Sequence, residues 1–121
     1  MRQIKFRAQD IASNKWLYGD LRHHKDDVCI FEQGGTKGEQ VKRETIGQFT
    51  GLRDKNGRDI YEGDILKVGN EKQKIEVRFV RGVFAFLWDG NLDDEFPTGS
   101  PTHEWAEVVG NLHDNPKMLK R

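Results

Sequence analysis

What this 121-residue chain lacks narrows its class first. It has one cysteine, Cys29, so an intrachain disulfide is excluded. Its neighbours Val28, Ile30 and Phe31 are apolar, which predicts a buried small side chain and a reducing compartment. No apolar run approaches the length of a membrane span, and the start, "MRQIKFRAQD", has no apolar signal core. A cytoplasmic chain with no membrane partner is expected. Net charge is absent too: 20 basic side chains meet 20 acidic ones, without the basic excess of a protein that coats nucleic acid. Helical periodicity is almost missing, and short apolar runs punctuated by Gly, Asn and Asp take its place.

What remains is a mainly β pattern of short antiparallel strands. Three Trp, seven Phe and two Tyr supply enough burial to exclude disorder. "QIKFRA" alternates Ile4, Phe6 and Ala8 against Gln3, Lys5 and Arg7, the signature of a half-buried strand. "KWLYG" and "VCIF" read as strands joined by the polar "LRHHKDD", and Gln33–Gln40 reads as a flexible glycine-rich loop. "ETIGQFTGL" is the next strand, anchored by Ile46 and Phe49. "KIEVRFV" and "VFAFLW" flank Arg81-Gly82 as a hairpin. Its first arm presents Ile75, Val77 and Phe79 on one face, and its second is apolar enough to sit mid-core. A long acidic loop precedes the strand "WAEVVGNL". Asn115-Pro116 then opens one short C-terminal helical turn. The C-terminal half holds about five short strands, which suits a small barrel-like or curled sheet. The chain is expected to form one domain over 1–121, with two small β subdomains, 1–50 and 51–121, sharing a core.

The stretch "TGLRDKNGRDIYEGDILKV", Thr50–Val68, is the densest in turn chemistry. Asn56-Gly57 signals a type I′ turn, Asp54 is placed to bond amides two residues on, and Gly63-Asp64 make a second turn before a strand. A phosphate cradle needs clustered glycines between a strand and a helix, with Lys and Ser or Thr behind them, and that context is missing. The block is therefore a device for turning the chain.

Three blocks, "IKFRAQD", "QFTGLRDKNGRDIYEGDILKV" and "EVVGNLHDNPKML", resemble the YopX family in order and spacing. These are small proteins encoded by bacteriophages and prophages. The resemblance implies a mainly β fold and a bacterial host cell, and it brings no catalytic residues. The positions that match the motif are Gly51, Leu52, Asp54, Gly57, Ile60, Tyr61, Gly63, Asp64, Gly110, Asn111 and Pro116. It makes them signatures of a fold.

Candidate chemistry is sparse. His23, His24, Asp26 and Asp27 cluster, but adjacent residues on a strand face opposite ways and no metal-ligand spacing completes a site. Asp93, Asp94 and Glu95, with His103 and Glu104, lack the fixed spacing that hydrolysis demands. They read as an acidic interaction loop, and a metal-dependent hydrolase is the weakest alternative. No cofactor, metal site or catalytic residue is expected. Residues 1–25 carry six basic side chains, and residues 89–107 carry six acidic ones with no Lys or Arg. That split, with open sheet edges, predicts a non-catalytic interaction or self-assembly module: a homo-oligomer, or a binder of a host or phage protein. The runner-up is nucleic-acid binding through Arg2, Lys5, Arg7, Trp16 and Tyr18 on the basic first strands.

Overall fold

A computed structural model describes residues 3–32, 34–95 and 101–119. The chain divides into two compact units, Met1–Phe49 and Thr50–Arg121. Both are built of short antiparallel strands, and the protein is mainly β.

The first unit contains β1 (Phe6–Gln9), β2 (Trp16–His24), β3 (Asp27–Phe31), β4 (Gly38–Gln40) and the start of β5 (Gly47–Arg53). β1 pairs with β2 on one side and, through Phe6 and Arg7, with Gln48 and Gly47 of β5 on the other. β3 lies between β2 and β4. The two-residue side-chain period collects Ala8, Val28, Ile30 and Val41 into a buried cluster, with Phe6, Leu17, Leu21 and Ile46 packed against it.

Three expectations change here. The polar "LRHHKDD" is mostly strand: β2 continues to His24, and only Lys25-Asp26 form the loop, with Lys25 at φ +55°. A strand with a solvated face accepts polar residues, so composition alone hid it. Gly38–Gln40 belongs to a strand on the edge of β3 rather than to a loop. Cys29 is half-buried, because alternation gives the core positions to its neighbours Val28 and Ile30.

The second unit contains β6 (Asp59–Tyr61), β7 (Asp64–Val68), β8 (Ile75–Val80), β9 (Val83–Trp88) and β10 (Ala106–Asn111). The last four form a sheet in the order β10-β7-β8-β9. Its core joins Ile60, Leu66, Ile75, Val77, Phe86, Ala106 and Val108, with Leu52, Val68 and Trp88 against them. Each fully buried aliphatic side chain stabilises by about 1.5–3 kcal/mol relative to exposure. β9 sits in the core as its apolar run predicts: Ala85, Phe86 and Leu87 are buried on successive positions, so both faces are covered, although in the plane of the sheet β9 is an edge strand. β8 differs from expectation. Glu76 is 1% exposed, while Phe79, expected inside, is 51% exposed. The Glu76 carboxylate takes two bonds from Arg78, Nε to Oε2 and Nη2 to Oε1, both 2.8 Å. This forked pair raises the Arg78 pKa and satisfies a buried charge.

The turns also trade places. Asn56 keeps a negative φ and only Gly57 is left-handed, at +80°. The Gly57 N–H donates to the Asp54 carbonyl at 2.9 Å and the Asp54 N–H to the Arg58 carbonyl at 2.8 Å. This is a turn closed by a left-handed glycine, not type I′. The two successive positive φ values of a type I′ hairpin fall instead at Arg81 (+50°) and Gly82 (+82°). At the C-terminus, Pro116–Met118 make a single 3-10 turn after Asn115. The Asn115 side chain accepts from the Asn111 N–H at 3.2 Å and does not cap the turn.

Candidate interaction edge

A four-stranded sheet has two edges, and in the second unit they are treated oppositely. β10 is closed by the turn that precedes β6. Asp54 Oδ1 accepts from the Asn56 and Arg58 N–H groups, both at 2.9 Å, which shapes the turn. Its Oδ2 accepts from the buried Val108 N–H at 2.9 Å. Lys55 N–H donates to the Ala106 carbonyl at 3.0 Å, and Arg58 Nη1 reaches the Val108 carbonyl at 3.4 Å. The outward polar groups of β10 are thus spent on one turn, which prevents another strand from pairing there. Burial would raise the Asp54 pKa. The Val108, Arg58 and Asn56 N–H groups, with the Arg58 charge, outweigh it and hold the carboxyl below its ordinary value.

Among the described residues, β9 has no such cover over its first half. The Asp89 N–H donates to the Lys74 carbonyl at 2.7 Å, which sets the phase of the ladder. By alternation, Val83, Ala85 and Leu87 turn their backbone groups toward β8, and Phe84, Phe86 and Trp88 turn theirs outward. Trp88 is satisfied by the Asp94 carbonyl at 3.1 Å, and Leu87 bridges Glu95. Among the described residues, no segment pairs with the outer side of Val83–Ala85. That stretch carries no charge. Val83 is 44% exposed, and the Phe84 ring meets half-exposed Phe79 edge-on at 5.2 Å.

The remaining motif residues stitch loops to strands. The Asp64 carboxylate accepts from the Tyr61 N–H at 2.7 Å across the turn, where Gly63 has φ +93°. Gly63 donates to the Val77 carbonyl at 2.8 Å and accepts from the Leu112 N–H at 2.9 Å. Ile60 and Tyr61 are buried, Leu52 is half-buried, and Gly51 sits at φ +88°. Gly110 lies at a bulge of β10 where a Cβ would stand 2.5 Å from Asn115 Oδ1. Asn111 Oδ1 accepts from the His113 and Asp114 N–H groups, and Pro116 starts the final turn. These residues support the fold, and the shallow depression of about 430 Å³ along residues 51–55, His103 and Glu104 contains an Asp54 already committed to three N–H groups.

The sequence-predicted contacts fall elsewhere. Arg2 lies outside the described residues. In the first unit, Lys5 Nζ stands 4.8 Å over the Phe49 ring and the Arg7 guanidinium 4.8 Å over Trp16. Arg22 covers Phe31 in the same way at 4.4 Å. Arg7 is only 6% exposed and Ile4 is exposed, the reverse of the simple alternation. Tyr18 is exposed opposite Arg7. Glu95 of the acidic loop pairs with Arg81 at 2.9 Å, and the Asp93 N–H donates to the Asn91 side chain. His23 and His24 are both exposed, and Asp27 accepts from Gln40 at 2.9 Å. Among the described residues, no three His, Cys, Asp or Glu side chains gather for a metal, and no helix is long and apolar enough to cross a membrane.

The YopX protein family model matches residues 5–120. The chain belongs to the YopX family. Asp54 and its turn, in the central block that carries the resemblance, form the clamp on β10. The fold is similar to the crystal structure of protein EF1440 from Enterococcus faecalis. The two chains are 24% identical, with TM-score 0.59, over 99% of this chain and 100% of that one. At that identity the likeness concerns the fold. No curated protein matches the chain.

Proposed function

We propose that this YopX protein is a non-catalytic, phage-type accessory module of the cytoplasm that works by docking protein on the open edge of β9. The observation that carries the reading is the contrast between the two edges of one sheet. One is clamped by Asp54, Lys55 and Arg58, while Val83–Ala85 on the other is apolar and uncharged and, among the described residues, has no strand paired on its outer side. An extended segment adds to such an edge through main-chain bonds, and the half-exposed Phe79 and Val83 supply side-chain contact.

The test is affinity purification of the tagged chain from bacterial lysate after nuclease treatment, compared with Phe84→Pro. Proline at 84 removes an outward N–H and no ladder bond to β8. Nuclease-resistant protein held by the wild type and released by the variant is expected. Equal recovery by both, or recovery that depends on nucleic acid, overturns the reading.

A further inference from the structure

We infer that Asn56-Gly57 is a self-modifying site: Asn56 converts spontaneously to isoaspartate, the Asp54 turn holds the reaction back, and conversion releases the clamp on β10. The inference goes beyond the docking reading of β9 and does not rest on it.

Of the six asparagines, Asn56 alone is followed by glycine. A side chain on the following residue shields its backbone nitrogen. Gly57 has none, and among the described residues no atom lies within 4 Å of where a Cβ would stand. Both residues are exposed, so water reaches the site. The Gly57 nitrogen gives up its proton and attacks Asn56 Cγ. The Cγ–Nδ2 bond breaks, and Nδ2 leaves as ammonia with that proton. Water then opens the cyclic succinimide. Addition at Cγ breaks the new Cγ–N bond and yields aspartate. Addition at the Asn56 backbone carbonyl breaks the original peptide bond and yields isoaspartate, with the chain running through Cγ. Water is consumed, ammonia is released, and nothing is oxidised or reduced.

The folded turn opposes the attack. The Gly57 N–H is spent on the Asp54 carbonyl at 2.9 Å, and Asp54 Oδ1 holds the Asn56 and Arg58 N–H groups on either side at 2.9 Å. Asn56 Nδ2 reaches Glu107 Oε2 at 3.5 Å, which draws the side chain toward β10. Reaction therefore waits for the turn to open, and its rate reports that opening. Isoaspartate then lengthens the main chain by a methylene inside the turn. One short carboxylate can no longer serve the amides of 56 and 58 while its Oδ2 stays on Val108. The new carboxylate also places a like charge beside Glu107, where an amide donor stood. The Lys55–Ala106 and Val108–Asp54 bonds are lost with the turn, and the outward groups of β10 are left open to another strand.

Ageing the full chain at mildly alkaline pH tests this by peptide mass mapping and amide hydrogen exchange. Asn56 should gain the mass of a carboxyl over an amide before any other asparagine, and enzymatic isoaspartate methylation should label that peptide. Conversion should run about tenfold or more faster in guanidinium chloride than in the folded chain, with folded Asp54→Asn between the two. In the modified fraction the Val108 and Lys55 amides should lose protection by about tenfold or more, whereas aged Asn56→Gln keeps it. An Asn56 that stays amidated as long as the other asparagines, or a product that methylation does not label, overturns the site. Equal rates in folded and denatured chain, or in wild type and Asp54→Asn, overturn the restraint. Undiminished Val108 protection in the modified fraction overturns the release.

Discussion

Asp54 accepts three backbone N–H groups, and one of them, from Val108, is buried. Asp54→Ala leaves them unpaired and should cost about 3 kcal/mol, read as a lower urea midpoint with an unchanged slope. Asp54→Asn keeps one carbonyl acceptor and should cost less. The pH dependence follows from the lowered carboxyl pKa. A group depressed in the folded state contributes stability above its unfolded value of about 3.9 and loses it as pH falls through the folded value. The gap between wild type and Asp54→Asn should therefore be full at neutral pH and shrink below that value; a gap constant down to pH ~2 would remove the charged-acceptor account. Arg7 poses the converse case. Its guanidinium covers Trp16 at 6% exposure, so Arg7→Glu would bury a carboxylate and should destabilise by about 3 kcal/mol or more, whereas Lys5→Glu should cost less. Arg7 therefore does not share a solvated face with Lys5, although the alternation of "QIKFRA" predicts that it does.

Turns and edges are decided at the scale of the element. Gly57 alone is left-handed in its turn, so Gly57→Ala should cost about 1 kcal/mol or more while Asn56→Ala stays within about 0.5 kcal/mol. Comparable losses from both, by thermal or chemical melts, would restore the type I′ geometry. Gly110 is needed for close approach: a Cβ would press on the Asn115 side chain that accepts from Asn111. Gly110→Ala should cost about 1–3 kcal/mol, and Asn115→Ala in the same chain should recover part of that cost by removing the clash. β9 illustrates why edges are hard to read from sequence. Its apolar run follows from cover on two faces, and no residue in it encodes which strand lies beside it. The acceptor for the Val108 N–H comes from Asp54, far along the chain, so closure of β10 was equally hidden.

For the whole molecule, the balance of 20 basic and 20 acidic side chains removes long-range attraction to a polyanion. Three of the basic side chains near the N-terminus also rest on aromatic rings. Single-stranded oligonucleotides should bind with little salt dependence; a log–log slope steeper than about −3 would restore the basic strands as a nucleic-acid contact. Each of the two units has a hydrophobic cluster drawn from its own residues, Ala8 to Val41 in one and Ile60 to Val108 in the other.

The sequence by itself determined the β class, the family, the position of most strands but not of β4 or β6, and the turn roles of Asp54, Gly57, Gly63 and Asp64. Those properties are local: side-chain period, backbone freedom at glycine and the short reach of an Asp carboxylate set them within a few residues. Only the tertiary structure decided that Asp54 also clamps β10, that Arg7 and Glu76 lie buried, and that β9 ends the sheet. Strand order and partner choice join residues tens of positions apart, and pairing energy depends on which backbone donors and acceptors are left over. No local pattern records that remainder.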